Sequence, residues 1–122
     1  MAASRAVRRG ELYWVDWSPA RGSEPAGRRP AVVVQGDAGN RSVTYPNTIV
    51  VAVSSSGREI PLHVRLRPHT RLGLRRTSFV KCEQVMTVSK ERLSTLPVGR
   101  LDDGEMRQVD AALRLSLDLA GG

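Results

Sequence analysis

Residues 21–34 read Arg-Gly-Ser-Glu-Pro-Ala-Gly-Arg-Arg-Pro-Ala-Val-Val-Val. A turn-rich polar loop ends in Arg28 and Arg29 and passes through Pro30 into an unbroken apolar run. That run is short for a helix and rich in β-branched residues, which predicts a buried strand. Arg29 then stands at the mouth of a rigid strand, beside a loop. A guanidinium fixed there suits a phosphate ligand, or charge stabilisation in a reaction that cleaves one. The competing reading from these residues alone is a surface ion pair with Glu24.

A hydroxyl cluster offers the second half of a site. The apolar run Thr48–Val53 stops at Ser54-Ser55-Ser56-Gly57. If the strands at 31–35 and 48–53 pair antiparallel, the start of one lies beside the end of the other. Arg29 and Ser54 then share a rim, with Glu24 in the loop above it. The other reactive residue types carry less. His63 and His69 are the right type for an acid and base pair. One lies in a strand, however, and the other follows the break at Pro68, so nothing makes them converge. Cys82 stands alone, which excludes an internal disulfide and reads as packing. No His, Cys or carboxylate group has metal-ligand spacing, so neither metal nor cofactor is expected. Asp102, Asp103 and Glu105 read as a helix start.

The elements that must position these residues follow from patterning. At 122 residues, with 40% hydrophobic and 25% charged residues, the chain fits one globular domain. No apolar stretch reaches membrane-spanning length. Residues 1–9 are basic without an apolar core, so they read as a flexible tail and not a secretory signal. Residues 10–120 read as the domain. The lone cysteine fits a reducing cytoplasm. Strands are expected at 12–17, 31–35, 48–53, 62–66 and 78–85, with a last short one at 98–101. Residues 36–47 read as a long loop, and 89–92 as one short turn. Asp102 with Glu105 forms a capping-box signature, and Met106, Val109, Leu113 and Leu117 then recur at helical spacing, ending near Gly121-Gly122. Five or six short strands followed by one helix predict a mainly β fold. It is a small curled antiparallel sheet, partly closed like a barrel and plugged by the terminal amphipathic helix.

Charge points to the partner. Lys+Arg number 19 against 12 Asp+Glu, a net charge of +7. All of the basic residues except Lys81 and Lys90 are arginines, whose planar fork matches two phosphate oxygens. Arg58, Arg65, Arg67, Arg71, Arg75, Arg76 and Lys81 crowd the middle of the chain, while Asp102, Asp103, Glu105 and Asp110 gather near its end. This asymmetry predicts a face for a polyanion, and a nucleic acid fits better than a membrane.

Three phrases resemble one family, the MazF/PemK toxin endoribonucleases. They are Gly10-Glu11-Leu12-Tyr13-Trp14-Val15-Asp16, Ser18-Pro19-Ala20-Arg21-Gly22-Ser23-Glu24, and Arg29-Pro30-Ala31-Val32-Val33-Val34. Ile49–Ser54, Thr77–Val85 with Thr87-Val88, and the closing helix are similar to later parts of the same family. The resemblance runs from about Arg9 to Leu119. It implies an SH3-like curled barrel that forms a homodimer. It implies metal-free cleavage of single-stranded RNA, inhibition of translation and growth, and a cognate antitoxin with an acidic disordered segment. The family's catalytic arginine falls on Arg29 and its catalytic threonine on Ser54, with Ser55 the alternative one residue on. The loop glutamate falls on Glu24. RNA contacts are implied near Ser78, Glu83 and Gln84, and Arg28 and Ser55 beside the catalytic pair complete the expected substrate-binding set.

Two departures stand out. Serine replaces the family's usual threonine but keeps the hydroxyl. Pro25 stands where glutamine is common, which stiffens the loop and removes a donor. Cleavage without a metal uses the neighbouring 2′-hydroxyl as nucleophile, so DNA should resist and the products should be a 2′,3′-cyclic phosphate and a 5′-hydroxyl. The alternative class is a non-catalytic nucleic-acid-binding or gyrase-trapping module on the same barrel.

Overall fold

A computed structural model describes residues 6–17 and 27–120. Its strands are β1 (Glu11–Asp16), β2 (Arg28–Val33), β3 (Asn47–Ser54), β4 (His63–Leu66), β5 (Ser78–Ser89) and β6 (Gly99–Arg100). A short helix α1 (Asp37–Arg41) precedes β3, and α2 (Asp103–Leu117) follows β6. The strands form one antiparallel sheet in the order β4-β5-β3-β2-β1-β6. It is the curled half-barrel with a terminal helix that the patterning predicts.

The continuous apolar runs are explained by burial on both faces of the sheet. Leu12, Val32, Val51, Val53, Val64, Leu66, Val80 and Cys82 pack on one face, against Val109 and Ala112 of α2. Tyr13, Val15, Ala31, Val33, Val50 and Ala52 pack on the other, with Val7, Trp17, Val88 and Leu93. Neighbours along β1, β2 and β3 therefore alternate between two cores. Each buried valine or leucine removes enough surface from water to contribute about 1.5–3 kcal/mol.

β5 is long because it serves two neighbours. It pairs with β4 from Ser78 to Lys81 and with β3 along most of its length. Between these stretches β5 advances from Val80 to Val85 while β3 moves only from Val53 to Val51. This bulge bends β5 and curls the sheet. The curl brings its ends together: the Arg100 N–H donates to the Arg71 carbonyl at 2.9 Å, joining β6 to the segment after β4. Side chains would block this seam. A Cβ at Gly99 would strike the Leu72 carbonyl, and one at Gly73, where φ is +74°, would strike that of Val98.

Several boundaries differ from the patterning. β2 begins at Arg28 rather than at 31, because pairing with β1 holds both arginines in the strand. β5 runs on to Ser89, supported by β3, and the turn at Lys90–Arg92 is a single 3-10 turn. The segment read as a loop at 36–47 contains α1. Lys90 orders it from far along the chain, where its buried ammonium donates to the carbonyls of Asn40 (3.1 Å), Ser42 (3.2 Å) and Tyr45 (2.8 Å). α2 has the expected capping box: Asp102 accepts from the Glu105 N–H at 2.7 Å and Glu105 accepts from the Asp102 N–H at 2.8 Å. The helix stops at Leu117, short of the glycines, with Asp118 in the left-handed region.

Candidate active site

β2 and β3 pair only over Val33↔Val50, Val32↔Val51 and Ala31↔Ala52. Beyond that, each strand is held by its outer neighbour: Arg29 lies opposite Val15 on β1, and Ser54 opposite Phe79 on β5. The cause is Pro30. The Val34 N–H points at β3, donating to the Ile49 carbonyl at 2.9 Å. Backbone groups alternate along a strand, so the nitrogen of Pro30 also faces β3, and it carries no hydrogen. The ladder ends there and the strand ends part.

A cleft of about 550 Å³ opens at this point, lined by Trp14, Arg28, Arg29, Pro30, Val53, Ser54, Ser55, Gly73, Leu74, Arg75, Arg76 and Ser78. Continuing the β2–β3 register by two residues sets Arg29 opposite Ser54. Alternation then puts both on one face. Ser54 Oγ accepts the Ser56 N–H at 3.1 Å, which leaves its own proton to be donated outward. Ser78 is buried and donates to the Arg76 carbonyl at 3.2 Å, bracing the turn that presents Arg75 and Arg76. Among the described residues that line the cleft there are four arginines and no carboxylate, imidazole or thiol. Such a lining binds an anion and supplies donors to it.

The structure thus gathers Arg28, Arg29, Ser54, Ser55 and Ser78 at one cleft. Glu24 lies outside the described residues. Glu83 and Gln84 are on β5 and are not among the lining residues. Glu83 is engaged with His63, which lies 2.9 Å away. Its carboxyl is resisted by burial but held below the ordinary value of 4.5 by hydrogen bonds from His63 and from backbone, and by nearby positive charge. His69 meets Glu105 instead, at 3.0 Å. The two histidines therefore serve different carboxylates and do not form a pair.

His69, Asp102 and Glu105 bring three possible ligand atoms within 4.8 Å of one another. Sequence spacing hides this group, because His69 comes from the far side of the β4–β6 seam. Asp102 and Glu105 are already used as the cap of α2, whose N-terminal dipole opposes a cation.

Sequence reasoning places Arg75 and Arg76 only in a general polyanion-binding face and gives Trp14 no site role. The signal for the arginines was their crowding after Pro68. The signal for Trp14 was its place between apolar neighbours in β1, where only its exposure, 37%, distinguishes it from a core aromatic.

Comparison with known proteins agrees with this geometry. The family described as PemK-like, MazF-like toxin of type II toxin-antitoxin system matches residues 8–117. Endoribonuclease EndoA of Bacillus subtilis is 42% identical over 115 residues, covering 93% of this chain and 96% of that protein. Endoribonuclease MazF9 of Mycobacterium tuberculosis is 40% identical over 117 residues, covering 93% and 98%. Among solved structures, a mycobacterial endoribonuclease in complex with its cognate antitoxin superposes with a TM-score of 0.79 at 25% identity, covering 96% of this chain and all of that one. MazF of Deinococcus radiodurans superposes at 0.77 with 24% identity, covering 93% and 98%. With the arginine-rich cleft, the curled sheet and these relatives in agreement, the chain belongs to the PemK/MazF toxin family of type II toxin–antitoxin systems, as an endoribonuclease.

Proposed function

We propose that this chain cleaves single-stranded RNA at selected sequences, without a metal, by attack of a 2′-oxygen on the adjacent phosphorus. The observation that carries this reading is the placement of Arg29 opposite Ser54, at the mouth of a cleft whose charge comes from arginine. As the 2′-oxygen bonds to phosphorus and loses its proton, the P–O5′ bond breaks and the 5′-oxygen takes up a proton. The products are a 2′,3′-cyclic phosphate and a 5′-hydroxyl. A guanidinium keeps its proton at neutral pH, so Arg29 serves by stabilising charge on the pentacoordinate phosphorus. Ser54, with its acceptor side occupied by the Ser56 N–H, donates to a phosphoryl oxygen. This favours Ser54 over Ser55 for the catalytic hydroxyl.

Arg28, Ser55 and Ser78 line the path of the strand, and Glu24, Glu83 and Gln84 are proposed as contacts beyond the cleft. The relative solved with its antitoxin supports a cognate antitoxin here, and an acidic disordered segment of that partner is the proposed blocker of the arginine-lined cleft. The proposed active form is a cytoplasmic homodimer, and the consequence of cutting is loss of translation and growth.

The test is digestion of a long single-stranded RNA with EDTA present, with the ends mapped. The native chain should leave discrete 5′-hydroxyl ends. Arg29→Ala should fold and lose at least about a hundredfold in rate, as expected for removal of one transition-state donor worth about 3 kcal/mol. Cleavage at the native rate by the folded variant would remove Arg29 from the chemistry. Binding without cleavage by the native chain would point to a non-catalytic module.

A further inference from the structure

Trp14 is the feature of the cleft that phosphate chemistry does not use. It is one of two tryptophans, and its sequence neighbours Tyr13 and Val15 are both buried in the same core. Trp14 instead is 37% exposed and lines the arginine-rich cleft. Register explains what meets it there. Trp14 lies opposite Pro30 and Asp16 opposite Arg28. Arg28 is thus the diagonal cross-strand neighbour of Trp14, within reach of a long side chain. Its guanidinium carbon stands 5.5 Å from the centre of a Trp14 ring, a cation–π contact. Pro30, which opens the cleft, therefore also holds an aromatic plane beside its mouth.

We propose that the Trp14 ring is a stacking platform for one base of the RNA, next to the phosphate held by Arg29 and Ser54. This inference rests on the ribonuclease reading above and adds to it where a base goes. Every base has a π-face, and an exposed indole beside a basic groove is what single-stranded nucleic acid uses for stacking. The spacing in the free protein dictates the exchange. Even two stacked aromatic rings have centroids about 4.5–7 Å apart, so no base fits between the ring and a guanidinium already at cation–π distance. The incoming base displaces Arg28 from the ring, and the released guanidinium turns to a flanking phosphate. Arg28 thus covers the platform in the free protein and binds the backbone in the complex.

The experiment uses the full chain carrying Arg29→Ala, so that RNA stays intact. Tryptophan emission is followed while a mixed-sequence single-stranded RNA oligonucleotide, or inorganic polyphosphate, is added. The same titrations on Arg29→Ala with Trp14→Phe remove the contribution of the buried Trp17. The expected result is quenching of the Trp14 component by RNA and not by polyphosphate, which has charge but no bases. In the Arg29-intact protein, Trp14→Ala should raise KM at least about fivefold with a much smaller effect on kcat, the loss expected for one stacked base. Trp14→Phe should recover most of the affinity. Equal quenching by both polyanions, or an unchanged KM in Trp14→Ala, would overturn the platform. Cleavage by the native chain is measured in parallel: if RNA is cut while Trp14 is silent, the stacking proposal alone fails. If RNA is neither bound nor cut, the reading beneath it fails too.

Discussion

Pro30 and Val53 face each other across β2 and β3 with no hydrogen bond from the proline nitrogen to join them. The paired residues of these strands, from Val33↔Val50 to Ala31↔Ala52, place them next in register. The missing hydrogen lies on the side where a donor would extend the ladder. One residue further on stand Arg29 and Ser54. A single imino acid thus converts the end of a central strand pair into the mouth of a cleft, with the arginine and the hydroxyl on its two lips.

Replacing that proline tests the relationship. Pro30→Ala restores a donor toward Val53 and should let the ladder advance. One further backbone hydrogen bond contributes about 1 kcal/mol, so the melting temperature should hold or rise slightly. RNA cleavage should fall by about fivefold or more, the rate equivalent of about 1 kcal/mol, as the lips close. A variant that cuts at the native rate would show that the cleft does not depend on the broken ladder.

The segment after Ser54 is held by a pair from other strands. His63, with a side chain 5% exposed, accepts the Arg58 N–H on Nδ1 at 3.0 Å, so Nε2 carries the proton and donates to Glu83. Gly57 lies directly against the Phe79 ring, where a Cβ has no space. His63→Ala should therefore loosen residues 55–58, seen as faster amide exchange at Arg58, and lower kcat more than it raises KM. Unchanged exchange at Arg58 would exclude the anchoring role.

Glu83 and Asp37 should shape the acid limb of stability. Asp37 is held below 3.8 by the Arg9 N–H and by Asn40, against some burial. Glu83 is held below 4.5 despite burial, chiefly through His63. A carboxyl whose pKa is lower in the folded state stabilises the fold above its ordinary pKa. That stability is lost as pH falls through the folded value. Melting temperature should thus drop below about pH 4.5, and Glu83→Gln should flatten the upper part of that drop. An identical pH profile in the variant would contradict the pairing.

Cys82 gives an alkaline counterpart. Burial, with smaller contributions from Glu83 and Asp110, pushes its thiol from 9.0 up to about 12. The folded protein should not react with a thiol reagent at neutral pH, and labelling should follow unfolding. Between pH 9 and about 12 the unfolded thiol ionises and the folded one does not, so stability should decline across that range. Rapid labelling of the native protein would contradict the burial.

Lys90 separates stability from catalysis. Its ammonium, bound by three carbonyls, ties down the α1 segment at the end of β3 away from Ser54. Lys90→Met leaves those carbonyls without their charged donor and should cost about 2–3 kcal/mol in denaturant unfolding. Cleavage per folded molecule should not change. A comparable loss of kcat would mean that the α1 segment reaches the RNA.

Chain order and patterning determined much of this protein. Short unbroken apolar runs rich in valine, such as Val50–Val53, read as strands buried on both faces, and β3 is central for that reason. Asp102 and Glu105 specify a helix start through contacts three residues apart, and the structure has the cap. The neighbourhood of Arg29 and Ser54 was also legible, because antiparallel pairing brings a strand's start to another's end. What local sequence could not encode were contacts between distant segments. Trp14 reads as one more apolar strand residue until the parted lips of β2 and β3 expose it. Glu83 shows no partner within the protein until β4 places His63 beside it. Lys90 reads as part of one short turn until its ammonium is found among carbonyls from residues 40–45. Each of these depends on segments far apart in the chain, which only the pairing and packing of the folded sheet bring within bonding distance.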